Sequence, residues 1–149
     1  MIAVIDYGVG NLFSLKSSLS AIGQEAVVTR DQEELDRADH ILLPGVGAFG
    51  DAVEKLRSTG MDRAVLRQAA AGKPLLGICL GMQLLFEKSY EYGEHQGLGF
   101  VQGEVCPLEP DLKDPALKVP QIGWNALHIL RDDPLFQYIQ EGEYVYYVH

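Results

Sequence analysis

The fold is decided by residues 73–87, KPLLGICLGMQLLFE, in which a short apolar run ends at a cysteine with glycines two positions before and after it. The run 75–78 (LLGI) is too short for a helix and predicts a buried strand. The residues that follow Cys79 predict a helix that reaches Glu87. Glycines on both flanks let the backbone turn sharply, so the segment is typical of a nucleophile elbow with a thiol in place of serine.

Apolar runs upstream of the elbow predict three more buried strands, at 2–5 (IAVI), 26–29 (AVVT) and 41–43 (ILL). Helical spacing separates them, first from residue 12 to residue 22 and again after Asp51. Strands that alternate with helices form right-handed βαβ units, in which a parallel sheet is covered on both faces. The sequence therefore predicts an α/β fold, doubly wound around a mostly parallel sheet.

The pattern changes after about residue 97 and predicts a more antiparallel extension of the sheet. Turns that contain proline separate its elements. The expected strands are 100–105 (FVQGEV), 126–130 (ALHIL) and 143–148 (EYVYYV), with a short helix over 134–139.

Composition predicts one globular domain over residues 1–149, because 47% of the residues are apolar and 22% are charged. A net charge of −9 argues against nucleic acid as a partner. No apolar run approaches the ~20 residues of a membrane helix, and no basic segment precedes the N-terminal strand. Cys79 and Cys106 fit neither a disulfide framework nor a zinc site, so we expect a reducing cytoplasm and neither metal nor cofactor.

Three loops that follow strands share the edge of the sheet where ligands bind in such folds. They are 6–11 (DYGVGN), 44–47 (PGVG) and 79–81 (CLG). The second loop lacks the lysine of a phosphate-binding loop, and its free amides can instead complete an oxyanion hole. A simple tight turn, and a helix cap at Asn11 in the first loop, are the structural alternatives.

Cys79 is the candidate nucleophile, since the start of a helix favours a thiolate and the Leu80 amide points toward an incoming carbonyl oxygen. The alternative is a small buried apolar residue, as free cysteine often is. Cys106 has no such setting and is interpreted as structural. The four histidines, His40, His95, His128 and His149, offer no convincing base, because none has an obvious orienting acid.

Six segments together resemble the glutamine amidotransferase subunits of imidazole glycerol phosphate synthase, within the class I (triad) family that has a flavodoxin-like core. They are DYGVGNLFSL (6–15), LPGVGAFGDAV (43–53), GICLGMQLLFE (77–87), GLGFVQGEV (97–105), VPQIGWN (119–125) and YVYYVH (144–149). The resemblance implies that Cys79 attacks the side-chain amide of L-glutamine. It also implies an oxyanion hole at Val46 and Leu80, and substrate contacts from Gly45, Gly47, Gln83 and Glu91.

The same resemblance implies a heterodimer in histidine biosynthesis. Ammonia would pass to a (β/α)₈-barrel cyclase that makes imidazole glycerol phosphate and aminoimidazole carboxamide ribotide. The segments expected to face that partner contain Asn11, Lys118, Gln121, Trp124 and Asn125.

Two departures from the family pattern accompany the resemblance. Gln121 stands where the family has His, and the family's catalytic His and Glu lie in a Phe-His-Pro-Glu type segment that would follow His149. We therefore expect a domain that lacks its C-terminal segment and is inactive alone. A non-catalytic docking module and a flavodoxin-like nucleotide binder are the alternative functions.

Overall fold

Four parallel strands form the central sheet of the protein, in which the second strand of the chain is followed by the first, the third and the fourth. The computed structural model describes residues 1–114 and 116–149. The sheet and its helices comprise β1 (Ile2–Ile5), α1 (Leu12–Ala21), β2 (Ala26–Thr29), α2 (Gln32–Arg37), β3 (His40–Leu43), α3 (Phe49–Ser58), α4 (Met61–Ala70), β4 (Leu75–Gly77) and α5 (Leu80–Leu84). The alternation of strands and helices predicted from the apolar runs is confirmed.

Helices cover both faces of this sheet. Successive side chains of each strand point to opposite sides, so the apolar strands present side chains to a core on each face. Val4 and Leu42 pack on one face with Leu19 of α1. The other face carries Ile5 and Leu43, which pack in the larger core with α2, α3, α4 and α5. The prediction of a doubly wound α/β fold is therefore confirmed.

The elbow helix α5 ends at Leu84, three residues before the predicted end at Glu87. The carbonyls of residues 84–87 accept hydrogen bonds from the amides of residues 97–101, so they are not available to continue a helix. The chain enters a second, three-stranded sheet instead, whose first strand in sequence lies in the middle. Its strands are β5 (Phe86–Ser89), β6 (His95–Gln96) and β7 (Val101–Val105).

The expected antiparallel extension is confirmed, and one of its strands departs from the antiparallel pattern. β5 pairs antiparallel with β6, whereas β7, the predicted 100–105 strand, runs parallel to β5. The antiparallel part of the extension is the hairpin of β8 (Ile122–Ala126) and β9 (Tyr144–Val148).

The predicted strand at 126–130 is wrong, since β8 ends at Ala126. Leu127 still exchanges backbone hydrogen bonds with residues 142 and 143, but beyond it a side chain takes over from the partner strand. The Glu141 carboxylate accepts the Ile129 N–H at 2.6 Å. The predicted helix over 134–139 is a single 3-10 turn at Pro134–Phe136, like the turn at Glu109–Asp111.

The chain divides into two compact units, Met1–Pro107 and Leu108–His149. The first holds the central sheet and the β5 sheet, and the second holds the β8–β9 hairpin. The interpretation of residues 1–149 as one domain stays a prediction. In the part of the chain that the structure describes, every helix is too short or too polar to cross a bilayer.

Candidate active site

Cys79 lies in the sharp turn between β4 and α5, as the elbow pattern predicts. Its backbone has φ 55° and ψ −119°, a conformation that residues with a Cβ rarely adopt. The side chain is exposed, so the alternative of a buried apolar cysteine is wrong. Cys106 is also a free, exposed cysteine but has no such backbone strain.

Glycines around the turn are required by close backbone approach. A Cβ on Gly77 would lie 2.5 Å from the Met82 Cα, and one on Gly81 would lie 1.9 Å from the Leu43 carbonyl oxygen. Real Cβ atoms do not approach other atoms so closely, so any side chain there would move the elbow. The glycines predicted to let the backbone pass therefore do so in this fold.

The loop after β3 packs directly against the elbow helix. Gly45 is buried, and a Cβ there would lie 2.5 Å from the Gly81 nitrogen and 2.9 Å from the Leu80 Cβ. The next residues turn outward, since Val46 is 53% exposed and Gly47 has φ 94°. The structure thus brings the 44–47 loop and the elbow together at the carboxyl edge of the sheet.

Two backbone amides at this junction are free to donate. The N–H of Gly81 bonds to the Ile78 carbonyl, and those of Met82 and Gln83 bond to the Cys79 carbonyl. Across residues 1–114 and 116–149, no protein acceptor is bonded to the N–H of Leu80 or of Val46. Free, fixed N–H groups are what an oxyanion hole needs, and the assignment of these two stays a prediction.

The loop after β1 holds the start of the 44–47 loop. The Tyr7 hydroxyl is buried and donates to the Pro44 carbonyl at 2.7 Å. Burial raises the pKa of Tyr7 to about 12, because the phenolate would lose its hydration. A Cβ on Gly10 would lie 3.2 Å from the Pro44 Cβ, so this loop also packs on the proline ring.

Asp6 is the first residue of the loop after β1 and also holds that loop in place. Its carboxylate accepts from Arg30 at 2.5 Å and from the Gly8 N–H at 3.0 Å. The hydrogen bond from Arg30 lowers the pKa of Asp6 most, with smaller contributions from Gly8 and the Arg30 charge, against the opposing effect of burial. The ion pair therefore ties the loop after β1 to Arg30, the residue that follows β2.

Glu91 lies in the turn after β5 and reaches the first turn of α3. Its Oε2 accepts the Phe49 N–H at 2.7 Å, two residues beyond Gly47. His95 packs beside it, since a Cβ on Gly50 would lie 2.6 Å from the His95 Cε1. A cleft of about 340 Å³ opens here, lined by Ala48, Gly50, Asp51, Glu54, Glu91, Tyr92 and His95.

Two further predicted site residues, Gln83 and Asn11, lie on helix α5 and at the start of α1. Gln83 is half-buried on α5. Its contact with the substrate stays a prediction. Asn11 caps α1, with its side chain accepting the Ser14 N–H at 3.2 Å. The cap predicted as its structural role is confirmed, and its contact with a partner stays a prediction.

Four of the expected partner-facing residues belong to the second unit. Lys118, Gln121, Trp124 and Asn125 are all exposed. Trp124 packs edge-on against Tyr146 with ring centroids 5.4 Å apart. Because neighbours on a strand point to opposite sides, Trp124 and Asn125 lie on opposite faces of the hairpin. Gln121 pairs through its backbone with His149 and extends that hairpin.

Among the described residues, no histidine is hydrogen-bonded to Cys79. His40 opens β3, at the strand end opposite the edge that carries the elbow, and His95 packs on Gly50. His128 does have a carboxylate partner, Glu141 Oε1 at 2.9 Å, which corrects the expectation that none has an orienting acid. The two residues are thirteen positions apart in the sequence, so only the hairpin register brings them together.

Sequence reasoning missed two interactions that shape the site. The Tyr7 hydroxyl bond was not expected, although a tyrosine two positions after an apolar strand is a signal for a buried hydroxyl that needs a partner. The cap that Glu91 places on α3 spans 42 positions and leaves no local pattern.

The chain belongs to the class-I glutamine amidotransferase family, because the family profile "Glutamine amidotransferase class-I" matches residues 3–149. A solved structure described as "Crystal structure of glutamine amidotransferase" has the same fold, with a TM-score of 0.70. The alignment covers 99% of this chain and 71% of that one at 17% identity. The family and fold expected from the six segments are confirmed.

Within this class, the chain belongs to the HisH subunits of imidazole glycerol phosphate synthase, the subunits that the six segments resemble. It is 49% identical to the HisH subunit of Wolinella succinogenes over 149 residues, which covers all of this chain and 73% of that one. It is 50% identical to the HisH subunit of Bacillus licheniformis, covering 100% of this chain and 70% of that one.

Proposed function

We propose that this protein is the glutaminase subunit of an imidazole glycerol phosphate synthase and acts in histidine biosynthesis. The observation that carries the proposal is Cys79, an exposed thiol on a strained elbow packed against a loop with free amides. The HisH relatives, at about half identity over the whole chain, support the subunit and the pathway.

The proposed chemistry begins with attack of the Cys79 sulfur on the side-chain carbonyl of glutamine. A carbon–sulfur bond forms while the thiol proton is removed, and the oxyanion is held by the amides of Val46 and Leu80. The carbon–nitrogen bond then breaks, and the nitrogen gains a proton and leaves as ammonia. Water hydrolyses the thioester to glutamate and restores the thiol.

The substrate is proposed to lie along the 44–47 loop, with Gly45, Gly47, Gln83 and Glu91 around it. Glu91 is exposed and carries negative charge, which suits the ammonium group of glutamine. Gly47 leaves room because no atom lies within 4 Å of where its Cβ would be. The base that moves the thiol proton is proposed to be none of the four histidines of this sequence.

The ammonia is proposed to pass to a cyclase subunit with a (β/α)₈ barrel. Asn11, Lys118, Gln121, Trp124 and Asn125 are the proposed contacts, and all five are exposed. We place the complex in the cytoplasm, where reducing conditions keep an exposed catalytic thiol free.

Competition between the two exposed cysteines tests the proposed nucleophile. A chloroketone analogue of glutamine should alkylate Cys79 and leave Cys106 unmodified, as read by peptide mass spectrometry. Excess glutamine should protect Cys79, and iodoacetamide, which has no glutamine portion, should show no such preference. Labelling of Cys106, or of neither cysteine, would contradict the proposal and favour a docking module without catalytic function.

A further inference from the structure

Helix α3 begins without a cap of its own. Its N-cap residue is Ala48, which has no side-chain oxygen for the unpaired amides of the first turn. The Glu91 carboxylate supplies that acceptor from the turn after β5, with Oε2 2.7 Å from the Phe49 nitrogen. A carboxylate at this end of a helix is also favoured by the helix dipole.

This cap fixes the far end of the 44–47 loop. Phe49 is fully buried, so its backbone position is set by the core. The near end is fixed by the Tyr7 bond to Pro44. Only Val46, Gly47 and Ala48 lie between the last buried loop residue, Gly45, and the capped amide.

Glu91 is itself held in place by a buried group. Its N–H donates to the Ser89 hydroxyl at 3.1 Å, and Ser89 is completely buried. Within residues 1–114 and 116–149, Oε2 is bonded to Phe49 and no protein group is bonded to Oε1. One carboxylate oxygen is thus committed to α3, while the other has no protein partner within these residues.

We infer that Glu91 is a positioning residue for the oxyanion loop 44–47 as well as the partner of the substrate ammonium, with one carboxylate oxygen for each. The inference rests on the proposed function. It follows that the two roles separate chemically. The ammonium contact needs the negative charge, whereas the cap on Phe49 needs only an acceptor oxygen, which an amide also has.

Two substitutions distinguish these roles through the rate of Cys79 alkylation by the glutamine chloroketone. Glu91→Gln keeps the acceptor and loses the charge, so it should raise the half-saturating concentration about tenfold and leave the limiting rate within about twofold. Glu91→Ala loses both, so the limiting rate should also fall, by about tenfold, as expected for a displaced oxyanion donor. Amide exchange at Phe49 should accelerate in Glu91→Ala only.

Glu94→Gln is the matched control, because it removes the same charge from the same turn without touching Phe49. It should resemble the wild type in both kinetic constants and in exchange at Phe49. Equal limiting rates for Glu91→Ala and Glu91→Gln would overturn the positioning role. If the wild-type protein still labels at Cys79, the proposed function is unaffected by that result. Wild-type protein that labels at Cys106, or not at all, would overturn the proposed function and this inference with it.

Discussion

The hydroxyl of Tyr7 donates a 2.7 Å hydrogen bond to the carbonyl oxygen of Pro44, and so joins the loop after β1 to the loop after β3. Both residues are buried, which leaves water no access to either group. The bond therefore holds the loop that contains the proposed oxyanion donor Val46 against the rest of the sheet edge.

Removal of this hydroxyl should destabilise the protein measurably. Tyr7→Phe leaves the Pro44 carbonyl buried and unpaired, which costs about 1–3 kcal/mol. Urea unfolding followed by circular dichroism would measure the loss. Tyr146→Phe is the control, because that side chain is 54% exposed and should change stability by less than about 0.5 kcal/mol. Equal stability of Tyr7→Phe and wild type would contradict the buried bond.

The raised pKa of Tyr7 predicts a loss of stability in alkali. Its folded pKa of about 12 exceeds the ordinary value of 10.0, so the unfolded state releases the proton first as pH rises. The contribution of Tyr7 to the free energy of unfolding is complete below about pH 10. It is lost between about pH 10 and 12, by up to about 2–3 kcal/mol.

The Tyr7→Phe protein isolates this effect from the other groups that titrate in alkali. Unfolding of both proteins by urea at pH 8, 10 and 11 should show the wild-type advantage shrinking above pH 10. A constant difference over that range would mean that Tyr7 is not the group responsible.

The backbone strain at Cys79 predicts that a residue with a Cβ at this position lowers the stability of the folded protein. A residue with a Cβ at φ 55° and ψ −119° costs about 1–3 kcal/mol, whereas glycine adopts this region freely. Cys79→Gly should therefore be more stable than Cys79→Ala by about 1 kcal/mol, after allowance for the greater unfolded-state entropy of glycine. Neither variant should react with the chloroketone. Thermal unfolding of the matched pair is the measurement, and a less stable glycine variant would argue against strain at the elbow.

The elbow could be predicted from sequence because its causes are local. The apolar run of β4, the cysteine and its flanking glycines are contiguous, and so is the alternation that gives the doubly wound sheet. What could not be predicted depends on partners distant in sequence. The end of α5 at Leu84 is set by amides of residues 97–101, and the α3 cap comes from Glu91.

Close approach at Gly81 predicts severe destabilisation by a single methyl group. A Cβ there would overlap the Leu43 carbonyl at 1.9 Å, and backbone on both sides has no way to yield. Gly81→Ala should lose more than about 3 kcal/mol, at the upper end of overpacking effects. Gly72→Ala is the comparison, because its surroundings are open and only its φ of 94° opposes a side chain, which costs about 1 kcal/mol. Similar losses for both would show that backbone contact at the elbow is not limiting.

Asn11 combines a confirmed cap with a proposed contact to the cyclase, and two substitutions separate them. Asn11→Asp keeps an oxygen for the Ser14 N–H and should leave stability within about 0.5 kcal/mol, whereas Asn11→Ala should lose about 1 kcal/mol. If the amide nitrogen of Asn11 donates to the cyclase, both variants should bind it more weakly, by about fivefold or more for one lost hydrogen bond at an interface. Calorimetric titration with the cyclase subunit would measure this, with stability followed in parallel. Wild-type affinity in Asn11→Asp would limit Asn11 to its role in capping α1.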